Sequence, residues 1–124
     1  MLSFSIDGSI LMIVGTGTTS VAERTAFYAA LREDPSVPER ALLLLDARRA
    51  DTAKDVRELE ERTHLIAHLL GPKMGPFCAV IAPPRMTVDA VFFQAAGGEL
   101  GIRVAIFNDE PDARKWLEGL AGQG

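Results

Sequence analysis

The chain alternates between short, nearly unbroken apolar runs and longer stretches in which apolar residues recur every three or four positions. The first pattern predicts buried strands and the second amphipathic helices. Near the start, SFSID and SILMIVG flank Asp7-Gly8, a dipeptide that accepts the positive φ of a tight turn. A hairpin of Phe4–Asp7 and Ile10–Gly15 is therefore expected. After Gly15–Thr19, the tetrapeptide Ser20-Val21-Ala22-Glu23 reads as a capping box, and a helix follows from Val21 to about Arg32. Pro35 and Pro38 mark Glu33–Glu39 as a loop. Ala41–Asp46 is a strand covered on both faces. Thr52-Ala53-Lys54-Asp55 resembles a second capping box, with aspartate in the usual glutamate position, and would open a helix through Leu70. On that helix Val56, Leu59, Thr63, Ile66 and Leu70 share one stripe, and Gly71-Pro72 ends it. Cys78–Ala82 is the next strand, stopped by Pro83-Pro84. Thr87 or Asp89 opens a helix with Val91, Phe92, Ala95 and Ala96, closed by Gly97-Gly98. Arg103–Phe107 is the last strand, and Asn108-Asp109-Glu110-Pro111 caps a helix with Trp116 and Leu117. The order β-β-α-β-α-β-α-β-α predicts an α/β fold, with a mixed sheet and right-handed crossovers, as one domain over residues 1–124.

Composition narrows what such a domain does. A net charge of −4, with Arg48-Arg49 the only adjacent basic pair, offers no basic face for nucleic acid. No apolar run is long enough to span a bilayer, and MLSFSID does not read as a secretory signal. The single cysteine, Cys78, lies inside CAVIA and reads as a core residue, not a nucleophile. A cytoplasmic protein is expected.

Three stretches invite chemistry and argue for structure. Gly15-Thr16-Gly17-Thr18-Thr19-Ser20 lies between a strand and a helix, but Ser20 stands where a dinucleotide site needs glycine or alanine. It also lacks the lysine of a phosphate loop. Asp46 with Arg48 and Arg49 imitates a ribose and phosphate clamp, yet the chain has room for one mononucleotide half. Glu61, His64 and His68 share one side of the second long helix, a solvated side by its periodicity, and two histidines need a third ligand to hold zinc. Leu65 and Leu69 lie outside the apolar stripe and suggest a self-association surface, hence a homodimer. Tyr28, Cys78 and the histidines carry no triad signature, and Asp46 and Asp51 would act as acid and base only if one were desolvated. No cofactor, metal site or catalytic role is expected.

The order of elements, the LLLLDAR strand end and the closing GIRVAIFNDEPDARKWL resemble the STAS-domain superfamily, in its SpoIIAA-like branch of small stand-alone bacterial proteins. Val104-Ala105-Ile106-Phe107 and Ala113-Arg114-Lys115-Trp116-Leu117 match the branch's last strand and helix. The resemblance implies a mixed sheet of four or five strands with helices packed mainly on one face, akin to the CRAL-TRIO lipid-binding domains. It also implies a switch loop, here Asp46, Arg48, Asp51 and Thr52. Anti-sigma-factor antagonists carry a phosphorylatable residue there, in an Asp-Ser-x-Gly context that Asp51-Thr52-Ala53-Lys54 lacks. Capping of the helix by Thr52 outweighs regulated phosphorylation. Two functions are carried forward, neither of them enzymatic. One is a regulatory module binding a protein partner, of the anti-sigma-antagonist type with a degenerate switch. The other binds a small apolar ligand or lipid in a pocket at Pro83, Met86, Phe92 and Phe93.

Overall fold

The computed structural model describes residues 1–121. Strands β1 (Leu2–Asp7) and β2 (Ile10–Gly17) form the expected hairpin, pairing antiparallel from Leu2 opposite Gly15 to Asp7 opposite Ile10. That register centres the turn on Gly8-Ser9, one residue beyond the expected Asp7-Gly8. Gly8 has φ +60° at the first central position, the glycine-requiring site of a type II′ turn. Helix α1 (Val21–Glu33) follows, then β3 (Ala41–Ala50), α2 (Val56–Leu65), β4 (Met74–Ile81), α3 (Thr87–Glu99), β5 (Arg103–Phe107) and α4 (Glu110–Ala121). The five strands lie in sequential order, with β2, β3, β4 and β5 mutually parallel.

Strand alternation divides the interior into two cores. Leu11, Ile13, Leu43, Cys78, Val80 and Val104 face α1, α2 and α3. Ile10, Leu42, Leu44, Ala79 and Ile81 face α4 through Ala113 and Leu117. Three helices thus share one face of the sheet and α4 covers the other, where Trp116 meets Phe77 edge-on at 6.1 Å between ring centroids.

Several boundaries differ from expectation, each through contacts remote in sequence. β3 runs on to Ala50, because β2 pairs with it beyond an irregularity, placing Thr16 opposite Arg49 and Gly17 opposite Ala50. The expected loop Asp46–Thr52 is therefore mostly strand. β4 starts at Met74, with Gly75-Pro76 accommodated where the register shifts between Ala41 and Leu43. α3 continues through Gly97-Gly98, since Gly97 lets the helix close on β5; a Cβ there would stand 3.1 Å from Val104 Cγ2. Ser20 caps α1 by accepting from the Glu23 N–H at 3.0 Å. Glu23 does not complete the box; its carboxylate accepts from the Leu2 N–H at 3.1 Å and ties β1 to the helix.

The largest correction is at α2. Thr52 does not cap it. Asp55 does, accepting from the Glu58 N–H at 2.9 Å, and Thr52 sits exposed in the preceding loop. Aspartate is at least as good a cap as threonine, and with Asp55 at the cap Glu58 falls in the first turn, where an acidic side chain is favourable. Val56 consequently lies at the helix mouth, 58% exposed, while Leu59, Thr63, Ile66 and Leu70 turn inward. A π-helical turn, Ile66–Leu70, ends the segment. Its extra residue per turn brings Leu65 and Leu69 partly against the core, so they do not form a free outer patch.

Candidate functional site

The sheet face beneath α1, α2 and α3 is incompletely filled at the carboxyl ends of the strands. A cavity of about 150 Å³, partly open to solvent, lies there. Its floor is made of small residues, Gly15 and Gly17 of β2, Ala47 and Ala50 of β3, and Ala82 just after β4. The helices supply Tyr28, Leu59, Ile66, Ala90 and Phe93. Glycine and alanine at successive strand ends leave unfilled volume, and α2 cannot collapse into it because polar contacts hold its rim.

Those contacts start at Arg24, which is 4% exposed on the inward stripe of α1. Its guanidinium grips the Glu61 carboxylate with two N–H groups, the Nε–Oε2 distance being 3.0 Å, and Nη1 donates to Thr19 Oγ1 at 2.8 Å. The Glu61 hydrogen bonds and charge raise the Arg24 pKa against its burial, keeping the cation in place. Arg62 pairs with Glu58 at 2.6 Å one helical turn away. Asp89 of α3 accepts from the Ala53 N–H at 2.8 Å, and Asp51 accepts from the Thr18 hydroxyl, so the loop before α2 is tied to its neighbours.

The sheet separates the residues expected to form a switch loop. Asp46 borders the cavity, but its carboxylate lies on the α4 side with Leu42 and Leu44. It accepts from Arg48 Nε at 2.9 Å, Nη2 at 2.7 Å and the Arg48 N–H at 3.0 Å, and Arg48 reaches on to Glu110 of α4. Burial alone would raise the Asp46 pKa, but these Arg48 hydrogen bonds and the arginine charge bring it below 3.8. Asp46 is thus an ionised structural anion on one face, while Asp51 sits by the cavity and Thr52 is exposed in the loop.

Of the residues expected to line a pocket, Met86 and Phe93 border the cavity. Pro83 and Phe92 are half-buried outside its lining, since Phe92 precedes Phe93 on the helix and points about 100° away. Glu61 is drawn inward to Arg24 and away from the histidines. His64 and His68 remain exposed, with Nδ1 and Nε2 3.4 Å apart. No group of three His, Cys, Asp or Glu side chains able to hold a metal occurs among the described residues. Cys78 is fully buried, and burial pushes its thiol pKa far up, away from a reactive thiolate.

Arg24, Tyr28 and Arg62 escaped the sequence reading as site residues. The signal was present, because Arg24, Phe27, Tyr28 and Leu31 follow helical spacing, and an arginine in an apolar stripe must find a buried anion.

Comparison with known proteins supports the architecture alone. No protein-family model and no curated protein matches the sequence. Among solved structures, an uncharacterised protein of the DUF3478 family with a SpoIIAA-like fold, from Shewanella loihica PV-4, superposes with a TM-score of 0.66. The two are 15% identical, and the match covers 94% of this chain and 92% of that one. The chain has a SpoIIAA-like fold, a mixed α/β architecture, as its strand-and-helix order implied. No helix among the described residues is long and apolar enough to cross a membrane.

Proposed function

We propose that this protein is a non-catalytic binding module whose cavity takes one small, mainly apolar molecule. The observation that carries this reading is the 150 Å³ cavity at the carboxyl ends of three parallel strands, floored by glycine and alanine. Open α/β sheets bind ligands outside the carboxyl ends of their strands. An apolar cavity of this size holds a molecule such as benzene. Toluene serves as a probe. With seven heavy atoms it should bind with a Kd on the order of 0.1–1 mM. Isothermal titration should show saturable one-to-one binding to the native protein. Ala90→Leu, which projects a larger side chain into the cavity from α3, should abolish that binding while the protein stays folded. Absence of saturable binding to the native protein would reject the reading.

A second reading, a regulatory module with a protein partner, is favoured by one observation. Thr52 is exposed in a loop whose neighbour, the first turn of α3, presents Val88 to solvent. It ranks second because Asp55 already occupies the N-terminus of α2, where a phosphate on Thr52 would otherwise find N–H donors.

A further inference from the structure

The cavity wall carries two hydrogen-bonding groups for which the described residues offer no partner. Tyr28 is 6% exposed and lines the cavity, and its hydroxyl makes no hydrogen bond to any described residue. Arg62 also lines the cavity. Its terminal nitrogens engage Glu58 and the Asp51 carbonyl, but its Nε is buried without a partner. Buried polar groups are ordinarily satisfied, and leaving one unmade costs stability. Arg62 Nε is the one such buried atom among the described residues, and the Tyr28 hydroxyl, which solvent still reaches, stands on the same cavity wall without a protein partner; together they offer donors to a ligand. Arg24, Tyr28 and Arg62 all line this one cavity, opposite the apolar side chains of Ile13, Val80 and Phe93.

The chemistry of the unused groups restricts what can satisfy them. An arginine Nε–H only donates, and a tyrosine hydroxyl donates readily. The complement is therefore an acceptor oxygen. Charge decides between a carboxylate and an uncharged acceptor. Arg24 and Arg62 are already neutralised by Glu61 and Glu58. Asp51 and Asp89 also border the cavity, with no cation within 4.0 Å among the described residues. A ligand carboxylate would enter a surplus of negative charge and lose its hydration.

On the reading that the cavity binds a small apolar molecule, we infer that this molecule is uncharged and carries one hydrogen-bond-accepting oxygen. Aryl or branched-alkyl ketones, aldehydes and esters are the class. The oxygen lies against Tyr28 and Arg62, and the apolar body against Ile13, Val80, Ala90 and Phe93.

Three probes of similar size separate the terms. Acetophenone has the acceptor, ethylbenzene lacks it, and benzoate replaces it with a charge. Titration calorimetry on the native protein and on Tyr28→Phe should show acetophenone binding natively about three- to tenfold tighter than ethylbenzene, the worth of one ordinary hydrogen bond. Benzoate should bind at least tenfold more weakly than acetophenone. Tyr28→Phe should weaken acetophenone toward the ethylbenzene value and leave ethylbenzene unchanged. If ethylbenzene binds as well as acetophenone and Tyr28→Phe changes neither, the acceptor inference is overturned while the apolar-ligand reading stands. Tightest binding by benzoate overturns the charge argument. Binding by none of the three rejects the cavity reading and this inference together.

Discussion

Asp46 shows how a side chain that stands out in the sequence is held in place by an ion pair with its own strand. It follows a run of leucines at what reads as a strand end, the position where α/β proteins often keep a ligand-contacting carboxylate. In the fold it is 8% exposed and fully engaged by Arg48. Burial opposes its ionisation, Arg48 overcomes that opposition, and the folded pKa falls below the unfolded one. The stabilisation is therefore present above the unfolded pKa, near 3.8, and is lost as pH falls through the lower folded value. Asp46→Asn should lower stability at pH 6, and the difference from the native protein should shrink below pH 4. Urea unfolding midpoints at the two pH values check this; a constant difference would assign Asp46 no electrostatic part. Arg24 is the converse case, silent in the sequence and central in the structure, because its role depends on Glu61 from another helix.

At the scale of elements, the strand–loop–helix from Ala41 to Leu65 was legible in kind and shifted in detail. The apolar run, the polar break and the long helix were all apparent. The boundaries moved because two decisions are non-local. β2 recruits Arg49 and Ala50 into β3, and Asp89 of α3 holds Ala53 in the loop. Two tetrapeptides, beginning at Thr52 and at Asp55, compete to start α2, and the second prevails with Asp55 as the cap and Glu58 in the first turn. Thr52→Ala should then change stability by less than about 0.5 kcal/mol, as for an exposed loop residue. Asp55→Ala should cost about 1 kcal/mol. Thermal denaturation of the two variants distinguishes the caps, and the reverse ranking would restore Thr52 to that role. A structurally silent Thr52→Ala is also the proper variant for assaying any regulatory use of this loop.

At the scale of the whole molecule, the two-sided sheet follows from the alternation in runs such as Ile10-Leu11-Met12-Ile13 and Leu42-Leu43-Leu44. These runs send every second side chain to a different core, so a sheet covered on both faces was legible in the sequence, while the sequential order of its strands was not. The cavity was legible only in outline. An opening near α3 was expected at Pro83, Met86, Phe92 and Phe93, of which only Met86 and Phe93 border it, and its volume depends on how three helices dock over Gly15, Gly17, Ala47, Ala50 and Ala82. Small residues at strand ends announce either tight helix contact or empty space, and the Arg24–Glu61 pair that ties α1 to α2 decides for space. The central claim is that this space is a binding site on one face of the sheet. Methyl-resolved NMR titration with benzene tests it most directly. Chemical-shift changes should saturate at Ile13, Ile66, Val80, Ala82 and Ala90, while Leu42, Leu44 and Leu117 on the α4 side stay unmoved. Unchanged spectra, or equal changes on both faces of the sheet, would contradict the account.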